Sequence, residues 1–141
     1  MKLLVINGPN LNMLGIREKH LYGAKTYEDL KAFIQETADR LQVEVEIFQS
    51  NHEGVLVDKI QEAYGKIDAI VINPAAYTHT SVAILDALKA VNIPCAEVHL
   101  TDVSKREDFR KISYAGMACE AHFIGLGFEG YAKAMEYFAQ K

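Results

Sequence analysis

The sequence lacks the features that would point to a membrane or to nucleic acid. No apolar run in its 141 residues approaches the length that a membrane-spanning helix needs. Basic residues are not in excess either, because the formal net charge is −4 at pH 7. General binding of nucleic acid needs a basic surface. We therefore expect no membrane and no nucleic-acid partner.

Cysteine is scarce, and nothing at the start of the sequence resembles a targeting segment. The two cysteines, Cys95 and Cys119, lie in apolar surroundings without CxxC spacing, which predicts buried free thiols. Met1-Lys2-Leu3 leads directly into the first predicted strand, so we expect no signal or transit peptide. Free thiols without a leader predict a cytoplasmic location.

Apolar strands alternate with amphipathic helices along the whole chain. This alternation predicts right-handed crossovers and a parallel sheet covered on both faces, within one domain over residues 1–141. The second strand alternates in polarity, as an edge strand does. We therefore predict an α/β, flavodoxin-like three-layer sandwich with strand order 2-1-3-4-5. The predicted strands cover residues 3–6, 43–48, 68–72, 94–100 and 120–124.

Several helix boundaries are also visible. Thr26 with Asp29 predicts a capping box for the first helix, and Ser81 or Thr80 is expected to cap the third. The second helix is predicted to continue through Tyr64 and stop at Gly65. The charged segment 102–111 is expected to be partly helical, and the last helix to begin near residue 128.

The connection after the first strand is much longer than a strand-to-helix turn requires. It begins with turn residues at 8–10 and then carries Arg17 and Tyr22. A long, charged loop at this point of a sheet is typical of a lid over a site. We predict a mobile lid over about residues 16–24.

Polar residues gather where strands one, three and four end. In sheets of this order, sites lie beyond the carboxyl ends of the strands, at the switch point between strands one and three. The sequence therefore predicts an active site built from Asn10, Arg17, Tyr22, Asn73, His79 and the segment 99–101.

Other patterns leave alternatives open. Residues 125–130 match GxGxxG, but no ribose-binding acid follows, so close packing of the last helix is favoured over a dinucleotide site. A flavin- or nucleotide-binding module of the same fold remains an alternative. So does a metal-dependent lyase or hydrolase using His79, Glu97 and His99, although a hydrogen-bonded Glu97–His99 pair is the commoner outcome of that spacing.

Asp86 and three further histidines lie outside the patterns described so far. Asp86 interrupts an apolar helical run, which indicates either solvent exposure or a partner across a subunit interface. The remaining histidines are interpreted as surface or loop residues and receive no function: His20, His52 and His122.

At these residues the sequence resembles type II 3-dehydroquinate dehydratases over nearly its whole length. The resemblance rests on ordered blocks rather than on one motif. They are residues 7–12, 14–15, Arg17 and 22–23, then 49–54, 73–74 with 77–81, 97–100, 106–107 with 109–110, and 125–127 with 130–131.

The resemblance implies a reaction: dehydration of 3-dehydroquinate to 3-dehydroshikimate in the shikimate pathway, which leads to chorismate and the aromatic amino acids. It implies an anti elimination through an enolate, without metal or organic cofactor. It also implies a homododecamer, a tetramer of trimers.

Positions that match the family's functional residues receive expected roles. Tyr22 is the expected base, Arg17 its partner, His99 the general acid and Glu97 the group that orients it. Asn10 is expected to help hold a water near the enolate, and Asp86 to reach a neighbouring subunit's site. The expected substrate-binding positions are Asn73, His79, Leu100, Thr101 and Arg110.

The sequence departs from the commonest family pattern beside the predicted substrate loop. Asp102 stands where asparagine is usual, and Ser104-Lys105 replace a frequent His-Ala. The stretch 74–76 also has alanine where glycine is common. These differences bear on substrate affinity.

Overall fold

The computed structural model describes residues 1–16 and 25–141. Over these residues one parallel sheet has the order β2-β1-β3-β4-β5, which confirms the predicted fold. The predicted lid, with Arg17 and Tyr22, lies outside the described residues except for Ile16, so it stays a prediction. The strands are β1 (Lys2–Asn7), β2 (Glu44–Gln49), β3 (Ala69–Asn73), β4 (Cys95–His99) and β5 (Ala121–Ile124).

Among residues 1–16 and 25–141, two helices cover each face of the sheet. Successive residues of β1 point to opposite faces, so Leu3 packs into one apolar layer and Leu4 into the other. The first layer includes helices α1 (Tyr27–Leu41) and α4 (Glu129–Ala139). The second includes α2 (Glu53–Glu62) and α3 (Val82–Val91).

The predicted helix caps are present. Thr26 Oγ1 accepts a hydrogen bond from the Asp29 amide at 3.2 Å, and the Asp29 carboxylate accepts one from the Thr26 amide at 2.9 Å. This is the reciprocal capping box, with aspartate in the usual place of glutamate. For α3, the hydroxyl of Ser81 accepts the Ile84 amide at 2.9 Å, so Ser81 rather than Thr80 is the cap.

The predicted end of the second helix was wrong, whereas the charged segment 102–111 is partly helical, as expected. Helix α2 ends at Glu62, so Tyr64 lies in the turn beyond it and is 71% exposed instead of packing inward. The chain turns there because Gly65 adopts a left-handed conformation, with φ of 78°. Within the charged segment 102–111, helical structure is limited to the short 3-10 turns Val103–Lys105 and Asp108–Arg110.

The carboxyl ends of β1 and β3 are held side by side. Asn7 pairs with Asn73 in the sheet register, and the Gly8 amide donates to the Asn73 carbonyl at 2.8 Å. A Cβ atom at Gly8 would lie 2.3 Å from the Pro74 carbonyl oxygen, so only glycine fits there. This contact positions the loops that follow both strands.

Both cysteines are free thiols, with Cys95 buried and Cys119 half-buried. No helix among the described residues is long and apolar enough to cross a membrane.

Candidate active site

A cleft of about 220 Å³ opens at the carboxyl ends of β1, β3 and β4. It lies at the switch point where the sequence predicts an active site. The predicted site residues that line it are Asn10, Asn73, His79, His99, Leu100, Thr101 and Arg110. Glu97 lies behind His99, while Arg17 and Tyr22 fall outside the described residues. The fold therefore brings together side chains from four separate parts of the chain.

Asn10 begins the loop that borders the cleft on the β1 side. Its φ of 71° is left-handed, a conformation that asparagine tolerates better than most residues. The Asn10 amide donates to Asn51 Oδ1 at 3.0 Å. The side chain of Gln49 donates to the Gly8 carbonyl at 3.1 Å. The polar loop after β2 therefore supports the loop after β1.

A buried tyrosine fixes the amide of Asn73. The hydroxyl of Tyr131, on α4, accepts from Asn73 Nδ2 at 3.0 Å and donates to Asn7 Oδ1 at 2.7 Å. Asn73 Oδ1 accepts the Ala75 amide at 3.1 Å. Burial raises the pKa of Tyr131, so this tyrosine stays a neutral donor. Tyr131 falls within the predicted last helix, and nothing in the sequence pattern connects it to the site.

Glu97 and His99 form the expected buried pair at the back of the cleft. His99 Nε2 lies 2.9 Å from Glu97 Oε2, and both side chains are at most 5% exposed. Ser113 donates its hydroxyl proton to the same carboxylate oxygen at 2.7 Å. Since Nε2 of His99 is hydrogen-bonded to Glu97, the ring nitrogen that remains available to a substrate is Nδ1.

A second histidine contacts the same carboxylate, which the sequence analysis did not anticipate. His122 lies on β5, and its Nδ1 is 2.5 Å from Glu97 Oε1. Burial by itself would raise the pKa of Glu97. The hydrogen bonds from His99 and Ser113, the charge of His99 and the bond from His122 outweigh burial and lower that pKa to about 2. Glu97 is therefore an anion shared between two imidazoles.

Part of the cleft wall carries positive charge. Arg106 and Arg110 both line it, and Arg110 Nε donates to Glu107 Oε2 at 2.5 Å. His79 Nδ1 lies 2.7 Å from the Ile112 carbonyl oxygen. Burial lowers the pKa of His79 despite that bond, and the charges of the arginines act in the same direction as burial. This wall suits a small anion such as a carboxylate.

The glycine motif before α4 is hydrogen-bonded to the end of β4, beside the cleft. The amides of Gly125 and Gly127 donate to the carbonyls of His99 and Leu100, each at 3.0 Å. In a dinucleotide site such amides face the phosphates. Here they bind the end of β4, and a Cβ at Gly130 would lie 3.2 Å from Val98. The contacts favour the packing interpretation of this motif.

Two other predictions concern Asp86 and a possible metal site. Asp86 is exposed on α3 and is not among the residues that line the cleft of its own chain. Within residues 1–16 and 25–141 no cluster of three histidine, cysteine or acidic side chains has the geometry of a metal site. His79, Glu97 and His99 are therefore not arranged as a set of ligands in this structure.

Comparisons with known proteins agree with the fold. The family model described as "Dehydroquinase class II" matches residues 1–139. The chain is 53% identical over 131 residues to a 3-dehydroquinate dehydratase of Clostridium acetobutylicum, covering 93% of this chain and 91% of the relative. It is 56% identical over 135 residues to one of Caldicellulosiruptor bescii, covering 95% and 93%. The crystal structure of a type II dehydroquinase from Butyrivibrio crossotus is similar with a TM-score of 0.96, 52% identity and coverage of 100% and 98%.

Proposed function

The chain belongs to the class II dehydroquinase family, and we propose on that basis that its cleft dehydrates 3-dehydroquinate to 3-dehydroshikimate. The reaction makes the chain a hydro-lyase of the shikimate pathway, for which we expect a cytoplasmic location. The observation that carries the proposal is the buried Glu97–His99 pair, whose histidine lines a cleft that also carries two arginines.

His99 is the proposed general acid. The leaving hydroxyl departs as water only when a proton reaches it, and an imidazolium is a suitable donor near neutral pH. The Glu97 carboxylate, 2.9 Å from Nε2, stabilises that imidazolium and fixes the ring so that Nδ1 faces the cleft. This geometry supports a proton transfer from Nδ1.

Tyr22 is the proposed base, and Arg17 its activator, on a lid over residues 16–24. Only about one tyrosine in a thousand is ionised at pH 7 with an ordinary pKa near 10. Bringing the phenol to half-ionisation at pH 7 requires about 4 kcal/mol of preferential stabilisation of the phenolate. A guanidinium in contact with the oxygen supplies stabilisation of that kind.

The cleft walls are the proposed substrate contacts. Arg110, with the Leu100-Thr101 backbone, is suited to the substrate carboxylate, while Asn73 and His79 are suited to hydroxyl groups. Asn10 is placed to help hold a water beside the developing enolate oxygen, which needs hydrogen-bond donors. An anti elimination through that enolate places base and acid on opposite sides of the substrate.

Assembly is part of the proposal. We expect a homododecamer, a tetramer of trimers, in which Asp86 reaches the site of a neighbouring subunit. The exposed position of Asp86 on α3, outside the cleft of its own chain, supports this role. Mass measurement of the native protein in solution tests it, since a monomer would leave Asp86 without a site to complete.

The proposed reaction is tested by following the conjugated enone of the product by ultraviolet absorbance, with purified protein and 3-dehydroquinate. Turnover is expected both before and after treatment with a chelator. Activity that a chelator removes and zinc restores would instead support the metal-dependent alternative.

The proposed base is tested in the same assay with Tyr22→Phe. This change deletes only the phenolic oxygen, so turnover is expected to fall by at least about 100-fold while the melting temperature stays unchanged. Arg17→Lys is also expected to be severely impaired, because an ammonium does not reproduce the guanidinium geometry. Retention of most of the turnover by Tyr22→Phe would assign the base to another residue.

A further inference from the structure

His122 is not among the residues that line the cleft, but it contacts the carboxylate of Glu97. It stands on β5 directly opposite Glu97 in the register of β4 and β5, so both side chains project from the same face of the sheet. Its Nδ1 lies 2.5 Å from Glu97 Oε1, the carboxylate oxygen that does not contact His99. The imidazole is 44% exposed and is absent from the cleft lining.

The other carboxylate oxygen is held by two donors. Glu97 Oε2 accepts from His99 Nε2 at 2.9 Å and from the Ser113 hydroxyl at 2.7 Å. That hydroxyl accepts the Gly116 amide at 2.9 Å, so its single proton is directed at Glu97. Gly116 also leaves room for the carboxylate, because a Cβ there would lie 2.4 Å from Oε1.

We propose that His122 is a positioning residue for the dehydration: it holds Oε1 of Glu97 so that Oε2 stays directed at His99. This inference rests on the proposed function. Without a donor on Oε1, the carboxylate can rotate about its last side-chain bond, and the imidazole of His99 loses the partner that fixes its ring. His122 thus acts on the acid through Glu97 and does not touch the substrate.

A role as a proton relay fits the same contacts less well. A relay through Glu97 needs a protonated carboxyl group as an intermediate. With a pKa of about 2, only about one in 100,000 Glu97 side chains is protonated at pH 7. His122 therefore contributes through its hydrogen bond and not by passing protons inward.

The test compares two substitutions at one position. His122→Val removes the donor and suits a strand, so folding is expected to be retained. The kcat for 3-dehydroquinate is expected to fall about tenfold, the lower end of the effect of a hydrogen bond to a charged group, while KM stays within about twofold. His122→Asn places an amide N–H near the position of Nδ1, and kcat is expected to return to within about threefold of the wild type.

Glu120→Gln is the control variant. It removes a charge just before β5, and the described partners of Glu120 are Tyr137 and Lys141 on the C-terminal side. Its kcat is expected to match the wild type. Melting temperatures of all variants show whether an effect comes from unfolding.

A double-mutant cycle with Glu97→Gln separates positioning from a general structural effect. If His122 acts through Glu97, adding His122→Val to Glu97→Gln changes kcat by less than about twofold. An equal loss in both backgrounds, an unchanged kcat in His122→Val, or a failure of His122→Asn to recover kcat would each overturn the inference. Absence of turnover in the wild type would instead contradict the proposed function itself.

Discussion

Removing the hydroxyl of Tyr131 is expected to destabilise the protein and to leave the side chain of Asn73 less firmly held. The side chains of Tyr131, Asn7 and Asn73 are at most 3% exposed, so water cannot replace a lost bond. Tyr131→Phe leaves the Asn73 Nδ2 donor and the Asn7 Oδ1 acceptor without the hydroxyl that joins them at 3.0 and 2.7 Å. Each unsatisfied buried group costs about 1–3 kcal/mol, so we expect a total loss of about 3 kcal/mol.

The loss is measured by thermal and urea unfolding. For a domain of this size, about 3 kcal/mol corresponds to a decrease of roughly 10 °C in the melting temperature. KM is also expected to rise, because Asn73 lines the cleft and its side chain keeps only the bond to the Ala75 amide of the two side-chain bonds described above.

Tyr137→Phe is the matched control for that change. Its hydroxyl donates to Glu120 at the surface, where water takes over, so a change within about 0.5 kcal/mol is expected. Equal effects of the two substitutions would refute the argument from buried, unsatisfied amides.

Three further predictions follow from other contacts. Gly8→Ala is expected to lower the melting temperature strongly, because its methyl group would lie 2.3 Å from a backbone carbonyl oxygen. Gly54→Ala is the control, and it is expected to be neutral or slightly stabilising because its methyl group would have no atom within 4 Å. Glu97 has its pKa lowered from 4.5 to about 2 in the folded state, so its stabilisation is present above about pH 4.5 and is lost as the pH falls toward 2. In urea unfolding, the wild type is therefore expected to lose about 3 kcal/mol more than Glu97→Gln between pH 5 and pH 2, and equal acid sensitivity would contradict this. Mixing Asp86→Ala subunits with Tyr22→Phe subunits is expected to recover part of the activity, because some sites then combine Tyr22 of one chain with Asp86 of the next. If mass measurement proves that subunits exchange and no activity returns, Asp86 does not complete a neighbouring subunit's site.

The sheet order and most of the cleft could be predicted because both depend on local patterns. Apolar runs alternate with amphipathic segments, and the polarity of β2 identifies it as an edge strand. Once the order is known, the carboxyl ends of β1, β3 and β4 must meet, which brings Asn73 and His99 into one cleft.

The contacts that hold those residues depend on pairing between distant parts of the chain. His122 follows Glu97 by 25 residues, and only the register of β4 against β5 places the two side chains together. Likewise Tyr131 lies 58 residues after Asn73, on a helix whose periodicity alone predicts packing. Sequence periodicity gives the face on which a side chain lies, but not the partner across the sheet.

The end of α2 illustrates a different difficulty. Tyr64 continues the helical spacing, yet the helix ends at Glu62 and the chain turns through Gly65. Boundaries of this kind depend on where the left-handed glycine falls and on how the last turn closes, which the pattern of apolar residues does not specify.

His99 is the proposed acid in the dehydration of 3-dehydroquinate by this cleft. The most direct test measures enone formation by wild-type protein and by His99→Gln side by side, with melting temperatures to confirm that both are folded. We predict turnover by the wild type and a decrease of about 100-fold or more in kcat for His99→Gln, the range expected when a general acid is removed. A folded wild type without turnover, or a His99→Gln variant with wild-type kcat, would contradict the account.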